Sequence, residues 1–333
     1  MKRILVTGGA GYVGSILIRK LLENGYQVVC LDILKFGGES LLDVWGHSNF
    51  HFIKCDVTNY NQVDQIIESN GLHAIVHLAA IVGDPACKME PELAKKVNWE
   101  ASAHLLEKAS ESGVSRFVFA STCSNYGKMN DHSGFVDENS VLAPVSLYAE
   151  LKVKVENLIL HEMKKRETFC PTSLRFATVY GISPRMRFDL TVNEFTKEIA
   201  KGRELLVFGE QFWRPYCHVS DFSKAILAVL NAPAEKVAYN VFNVGDTNEN
   251  YTKQMLVEEI LRQVPGGRVK YIHKDEDPRD YRVDFSKIKK ELGFQVSKRV
   301  PDGIKEVIEV IKTGIIEDTE NQRYYNIPHS IQS

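Results

Sequence analysis

Residues 3–14, "RILVTGGAGYVG", pass from an apolar strand-like run directly into a turn with glycines at positions 8, 11 and 14. Only glycine allows so tight a turn and lets backbone approach a pyrophosphate, which then rests at the N-terminus of the following helix, where unpaired N–H groups favour anions. The turn gains meaning from its context. A strand precedes it, the helical pattern "YVGSILIRKLLENG" follows it, and the next apolar run, "QVVCLD", ends in Asp32. Gly8, Gly11, Tyr12, Val13, Gly14 and Asp32 are therefore predicted to hold a dinucleotide. Asp32 would accept the adenosine ribose hydroxyls and repel a 2′-phosphate, which selects NAD over NADP, although Lys35 lies close in sequence. Asp56, with Val57, ends the third run; it suits either the adenine amino group or the cap of "VTNYNQV".

Short apolar runs alternate with amphipathic ones through the first half of the chain: "ILVTG", "SILIRKLLENG", "QVVCLD", "HFIKCD", "AIVHLAA", "ASAHLLEKASESG", "RFVFAS". This is the pattern of βαβ units around a parallel sheet covered on both faces. The expected fold class is α/β, a Rossmann-type doubly wound parallel sheet with a smaller C-terminal substrate-binding domain. The expected boundaries are 1–173 for the NAD-binding domain, with about 218–245 returning to it. Residues 174–217 and 246–320 form the substrate domain, and 321–333 a polar, loosely held tail.

Composition is that of a folded water-soluble chain, with 333 residues, 44% hydrophobic and 25% charged, and a formal net charge of -2. That balance offers nothing to nucleic acid or an anionic membrane surface. The six cysteines contain no CxxC pair, so neither a metal site nor a disulfide framework is expected. The chain opens on a strand pattern and holds no stretch of roughly 20 apolar residues, and a reducing, cytoplasmic setting is inferred.

"YAELK" places Tyr148 and Lys152 four residues apart on one helix face. A phenol with an ordinary pKa of roughly 10 is a poor base at neutral pH, but a neighbouring ammonium and a positive nicotinamide ring stabilise its anion. "STCSNYG", at residues 121–127, brings hydroxyls to the end of the fifth strand-like run, where they can orient the same substrate oxygen.

Taken together, "TGGAGYVG", "HLAA", "VNWEAS", "STCSNYG", "YAELK", "LRFATVYG", "RPYCHVSDFSKA", "FNVG" and "DPRDYRVDFSKIKKELGF" resemble the extended short-chain dehydrogenase/reductases, specifically the NAD-dependent nucleotide-sugar epimerases and dehydratases. The resemblance implies Thr122, Tyr148 and Lys152 as the catalytic set. It adds Leu78, Ala79, Ala80 and Asn98 to the cofactor contacts. Cys123, Ser124, Arg175, Thr178, Arg214 and Arg279 fall at or near positions facing the nucleotide-diphosphate sugar. "ATVYGISPRMRFDLTVNEFT" resembles a subgroup that includes enzymes oxidising nucleotide-linked heptoses at C4. It brings Arg185, Arg187 and Asn193 towards the substrate half of the cleft, and Trp213, beside Arg214, suits either stacking on a base or sugar or a place in the core. Relatives pair through the helices containing "ASAHLLEKASES" and "LYAELKVKVENLILHEM", so a homodimer is expected.

The resemblance also has departures. The 4,6-dehydratases carry Asp and Glu after the catalytic hydroxyl, where this chain has Cys123 and Ser124. Thr178 stands where many relatives carry asparagine. The expected activity is therefore NAD-dependent oxidation of a sugar C4 hydroxyl, as a 4-epimerase or a 4-dehydrogenase. A 4,6-dehydratase, a 4-keto reductase and a non-catalytic NAD-binding protein are the competing readings.

Overall fold

The computed structural model describes residues 1–129, 134–275 and 279–327. Residues 328–333, the end of the expected tail, lie outside the described residues. The first half alternates strand and helix as follows: β1 (Arg3–Thr7), α1 (Tyr12–Glu23), β2 (Gln27–Asp32), β3 (Phe50–Lys54), α2 (Tyr60–Ser69), β4 (Ala74–His77), then the short α3 (Asp84–Met89) and α4 (Pro91–Lys95). α5 (Ser102–Glu111), β5 (Arg116–Thr122), α6 (Leu147–Asn157) and β6 (Cys170–Phe176) complete it. The second half comprises β7 (Thr178–Tyr180), α7 (Thr191–Ala200), β8 (Glu204–Phe208), β9 (Trp213–His218), α8 (Val219–Asn231), α9 (Ala234–Val237) and β10 (Asn240–Val244). It ends with β11 (Asn250–Thr252), α10 (Lys253–Gln263), β12 (Arg268–Ile272), α11 (Ser286–Leu292) and α12 (Val300–Thr313).

Seven strands form one parallel sheet in the order β10-β6-β5-β4-β1-β2-β3. Side chains alternate across β1: Ile4 and Val6 join α1 and α8 on one face, while Leu5 joins α2, α5 and α6 on the other. Both faces are buried, which is why these strands read as continuous apolar runs. The order in which strands are added reverses between β1 and β4, with β2 and β3 laid down on one side and β5 and β6 on the other, so the carboxyl ends of β1 and β4 open a crevice suited to a ligand.

A second, smaller core lies outside this sheet. Val192, Phe195 and Ile199 of α7 pack with Leu256, Val257 and Ile260 of α10 and with Val300, Ile304 and Ile308 of α12. The strand ladders β11-β9-β7 and β12-β8 complete that layer. Past the end of α12 at Thr313 the chain is still firmly held: Glu320 and Tyr325 bond to Lys197 of α7, and Tyr325 is 1% exposed. The expectation of a loosely held tail is thus corrected for residues 321–327. Polar composition concealed their anchoring side chains.

Candidate active site

The glycine turn is built by close contact as well as by conformation. Gly8 has φ +71°, and a Cβ there would lie 2.7 Å from the Ala79 backbone nitrogen. A Cβ on Gly14 would lie 2.3 Å from the Gly8 carbonyl oxygen, which is backbone and has no room to retreat. Gly8 N–H donates to Leu31 O at 2.8 Å, and Ala10 N–H donates to the Asp32 carboxylate at 3.0 Å, joining the turn to the end of β2. Leu34 N–H also donates to Asp32, at 2.7 Å. Burial raises the Asp32 pKa, and these backbone donors oppose the rise. The turn therefore forms a side-chain-free cradle opening α1, with a fixed carboxylate at its edge, and this fits a dinucleotide.

A cleft of about 340 Å³ runs from that cradle to the end of β5. Its walls include Gly8, Gly11, Tyr12, Val13, Gly14, Asp32, Asp56, Val57, Leu78, Ala79 and Ala80, together with Thr122, Tyr148, Lys152, Arg185 and Arg187. The sequence-predicted cofactor and catalytic residues are thus brought to one surface, with the exception of Asn98. That side chain is wholly buried and clamps the backbone of Ile81, accepting from its N–H at 2.8 Å and donating to its carbonyl at 2.9 Å. Its assignment as a cofactor contact is corrected: Asn98 shapes the wall from behind.

Ser146 accepts from Ala149 N–H and so starts α6, whose first turn presents Tyr148 and whose second presents Lys152. The Lys152 ammonium donates to Ala120 O at 2.7 Å and lies 5.9 Å from the Tyr148 ring centre. Burial lowers its pKa to about 8, against the opposing pull of Cys87 and Glu156. Burial likewise raises the Tyr148 phenol above its ordinary value, with Cys87 and Asp84 adding to the rise and Arg187 opposing it. Left to the protein alone, this phenol favours its protonated form, and a further positive charge in the cleft would oppose that. Thr122, at the end of β5, accepts from Ser124 N–H at 3.1 Å, which fixes its hydroxyl at the mouth of the same cleft.

The substrate-side assignments divide. Ser124, Arg214 and Arg279 gather near Tyr281, a residue the sequence reading missed. Ser124 Oγ lies 3.5 Å from the Tyr281 hydroxyl, and the Arg214 guanidinium lies 5.3 Å from its ring centre. Arg279 pairs at 2.8 Å with Asp84, which also accepts from Ser146 beside the catalytic helix. Trp213 bears on Arg282, whose guanidinium sits 5.1 Å from its ring centre. Thr178 sits in β7, paired with Tyr216 of β9.

Four other assignments are corrected. Arg175 is 3% exposed and commits its guanidinium to Glu156 at 2.9 Å and to the Tyr126 hydroxyl at 2.9 Å. A strand interior with a carboxylate opposite absorbs the charge that the sequence reading gave to a diphosphate. Cys123 is wholly buried with its thiol on Arg175 O, and Asn193 is wholly buried on Gly181, Tyr12 and Arg187 O. Neither reaches a substrate. Arg185 does line the cleft, but beside Asp32 and Phe36 at the cofactor end. Among the described residues no cluster suits a metal ion, the six cysteines are free and buried, and no helix is long and apolar enough to cross a membrane.

Residues 4–245 match the family described as NAD dependent epimerase/dehydratase. A dTDP-glucose 4,6-dehydratase of Streptomyces niveus is 32% identical over 324 residues, covering 92% of each chain. A UDP-glucuronate 4-epimerase of Thermodesulfobacterium geofontis is 28% identical, covering 93% of this chain and 96% of the other. The UDP-glucuronic acid 4-epimerase from Bacillus cereus, solved with UDP-glucuronic acid and NAD, superimposes with a TM-score of 0.82 at 25% identity, over 93% of this chain and 99% of that one. With its glycine cradle, Asp32 and the paired Tyr148 and Lys152 on one cleft, the chain belongs to the NAD-dependent epimerase/dehydratase family, as an NAD-dependent enzyme of the extended short-chain dehydrogenase/reductase type.

Proposed function

We propose that the enzyme oxidises the C4 hydroxyl of a nucleotide-linked hexose or heptose without loss of water, giving the C4 epimer or the released 4-keto sugar. The observation that carries this reading is the meeting of Thr122, Tyr148 and Lys152 on the dinucleotide cleft with no acid pair beside Thr122. The residue after Thr122 is the buried Cys123, whose pKa is raised by its surroundings, and the next is Ser124. Asp84, an acid whose charge reaches Tyr148, is engaged by Arg279 and Ser146. Elimination across C5 and C6 needs a proton donor and a proton acceptor, and among the described residues neither stands beside Thr122 for it.

In this reading Thr122 and Tyr148 grip the C4 hydroxyl, and Tyr148 takes its proton. Lys152, oriented by Ala120 O, holds positive charge beside the phenolate and grips the cofactor ribose. Bound NAD supplies the hydride acceptor and the positive ring that lowers the phenol's pKa. Ser124, Arg214, Arg279 and Tyr281 form the sugar-nucleotide side. The likeness to a 4,6-dehydratase does not extend to an Asp-Glu pair after Thr122.

The test is incubation with UDP-, dTDP-, GDP- and CDP-linked sugars in deuterated water, followed by mass analysis of the products. The expected product either matches the substrate's mass or lacks two hydrogens. A product lighter by one water with deuterium at C5 overturns the assignment.

Pairing into a homodimer through α5 and α6 belongs to the same proposal. Trp99 just before α5, Ala103 within it, and Leu160 and Met163 just past α6 remain partly exposed, an apolar strip suited to a second copy. Light scattering at micromolar concentration should return twice the chain mass; a monomer refutes the pairing.

A further inference from the structure

Residues 319–327 return from α12 to the cofactor end of the cleft and are seated at successive points. Lys201, just past α7, donates to Thr319 at 2.8 Å, Lys197 of α7 donates to the Tyr325 hydroxyl at 2.8 Å, and Phe188 N–H donates to Tyr324 O at 3.0 Å. Asn326 N–H then donates to Asp189 at 3.0 Å, and Asn326 Oδ1 accepts from Arg185 at 2.9 Å. The strap thus ends as part of the cleft wall.

Arg185 is the unusual group at this junction. It is 6% exposed, its guanidinium lies 4.0 Å from the Phe36 ring centre, and its Nε has no hydrogen-bond partner among the described residues. The neighbouring carboxylate of Asp189 is already gripped at two points by Arg187, at 2.9 and 2.8 Å. A cation buried beside a second cation, with an unspent donor and without a carboxylate of its own, calls for an anion from outside. Asp32, which marks the adenosine ribose position, lines the same part of the cleft. The anion that fits is a dinucleotide's diphosphate.

We propose that Arg185 and Asn326 bind the adenosine diphosphate half of NAD, and that the strap of residues 319–327 acts as a latch setting how fast the cofactor leaves. This rests on the NAD assignment and is independent of which sugar is oxidised. Phe36 and the strap hold the guanidinium in place, so no ordering cost falls on it when NAD arrives.

The test measures NAD and ADP binding by calorimetry, and NAD release by stopped flow, in Arg185→Met, Arg185→Lys and Asn326→Ala, each checked for folding by circular dichroism. Arg185→Met should weaken both NAD and ADP at least about tenfold, and Arg185→Lys should recover part of that loss. Asn326→Ala should speed NAD release several-fold with a smaller change in its association rate. NAD and ADP affinities within twofold of wild type in folded Arg185→Met, with a raised KM for the sugar nucleotide, would place the guanidinium on the substrate and overturn the proposal. Unchanged NAD release in Asn326→Ala would overturn the latch even if Arg185→Met fails to fold.

Discussion

Tyr148→Phe is expected to keep its fold and its NAD affinity while kcat falls roughly a hundred- to ten-thousand-fold, the range that a positioned general base contributes. The side chain packs against the buried cluster of Cys87, Ala94 and Leu151, and phenylalanine preserves that contact. No hydrogen bond within the described residues ties the hydroxyl, so removing it breaks nothing structural. What disappears is the group proposed to take the C4 proton beside Lys152. The wild-type rate should rise with pH as the phenol ionises, because burial sets its pKa high, and the variant should lack that rise. The measurement is single-turnover formation of NADH with a sugar-nucleotide substrate. Near wild-type kcat in the variant would remove Tyr148 from the mechanism.

Glu156→Ala should cost roughly 3–5 kcal/mol of stability, the usual penalty when one member of a buried ion pair is deleted. Glu156 is wholly buried on α6, one turn beyond Lys152, and its carboxylate serves several donors. Asn125 donates to it at 2.7 Å, Ser173 at 3.1 Å and Arg175 at 2.9 Å. These bonds tie the helix bearing Tyr148 to strand β6 and to the turn following Thr122. Burial disfavours the Arg175 charge, but Glu156 more than offsets this and holds its pKa above the ordinary value. Alanine leaves that guanidinium buried without its counter-charge. The double change Glu156→Met with Arg175→Met removes both charges and should recover much of the loss. Urea unfolding followed by circular dichroism measures both. A single variant within about 1 kcal/mol of wild type would show that the pair does not hold the catalytic helix in place.

What the sequence by itself determined are the features whose physics is local. Positions 8 and 14 of the turn must be glycine, because backbone occupies the space of each Cβ. Asp32 ends an apolar run and so stands at a strand's carboxyl edge, and Tyr148 and Lys152 share a helix face through their spacing alone. Two-sided burial of the sheet shows in the unbroken apolar character of its strands. From these follow the α/β class, the cofactor cradle and the catalytic face.

The destination of each charged side chain was decided only by the tertiary structure. Arg175 and Arg185 look alike in sequence. One meets Glu156 inside the sheet layer; the other reaches the cleft, where Asn326, 141 residues away, fixes its fork. Asn98 and Asn193 are polar in composition, yet both spend their amides inside the wall. A guanidinium or an amide serves a ligand or a neighbour with equal chemistry, and the choice rests on which partner the folded chain brings within about 3 Å. That proximity arises from chain segments far apart in sequence, so no local pattern in the sequence encodes it.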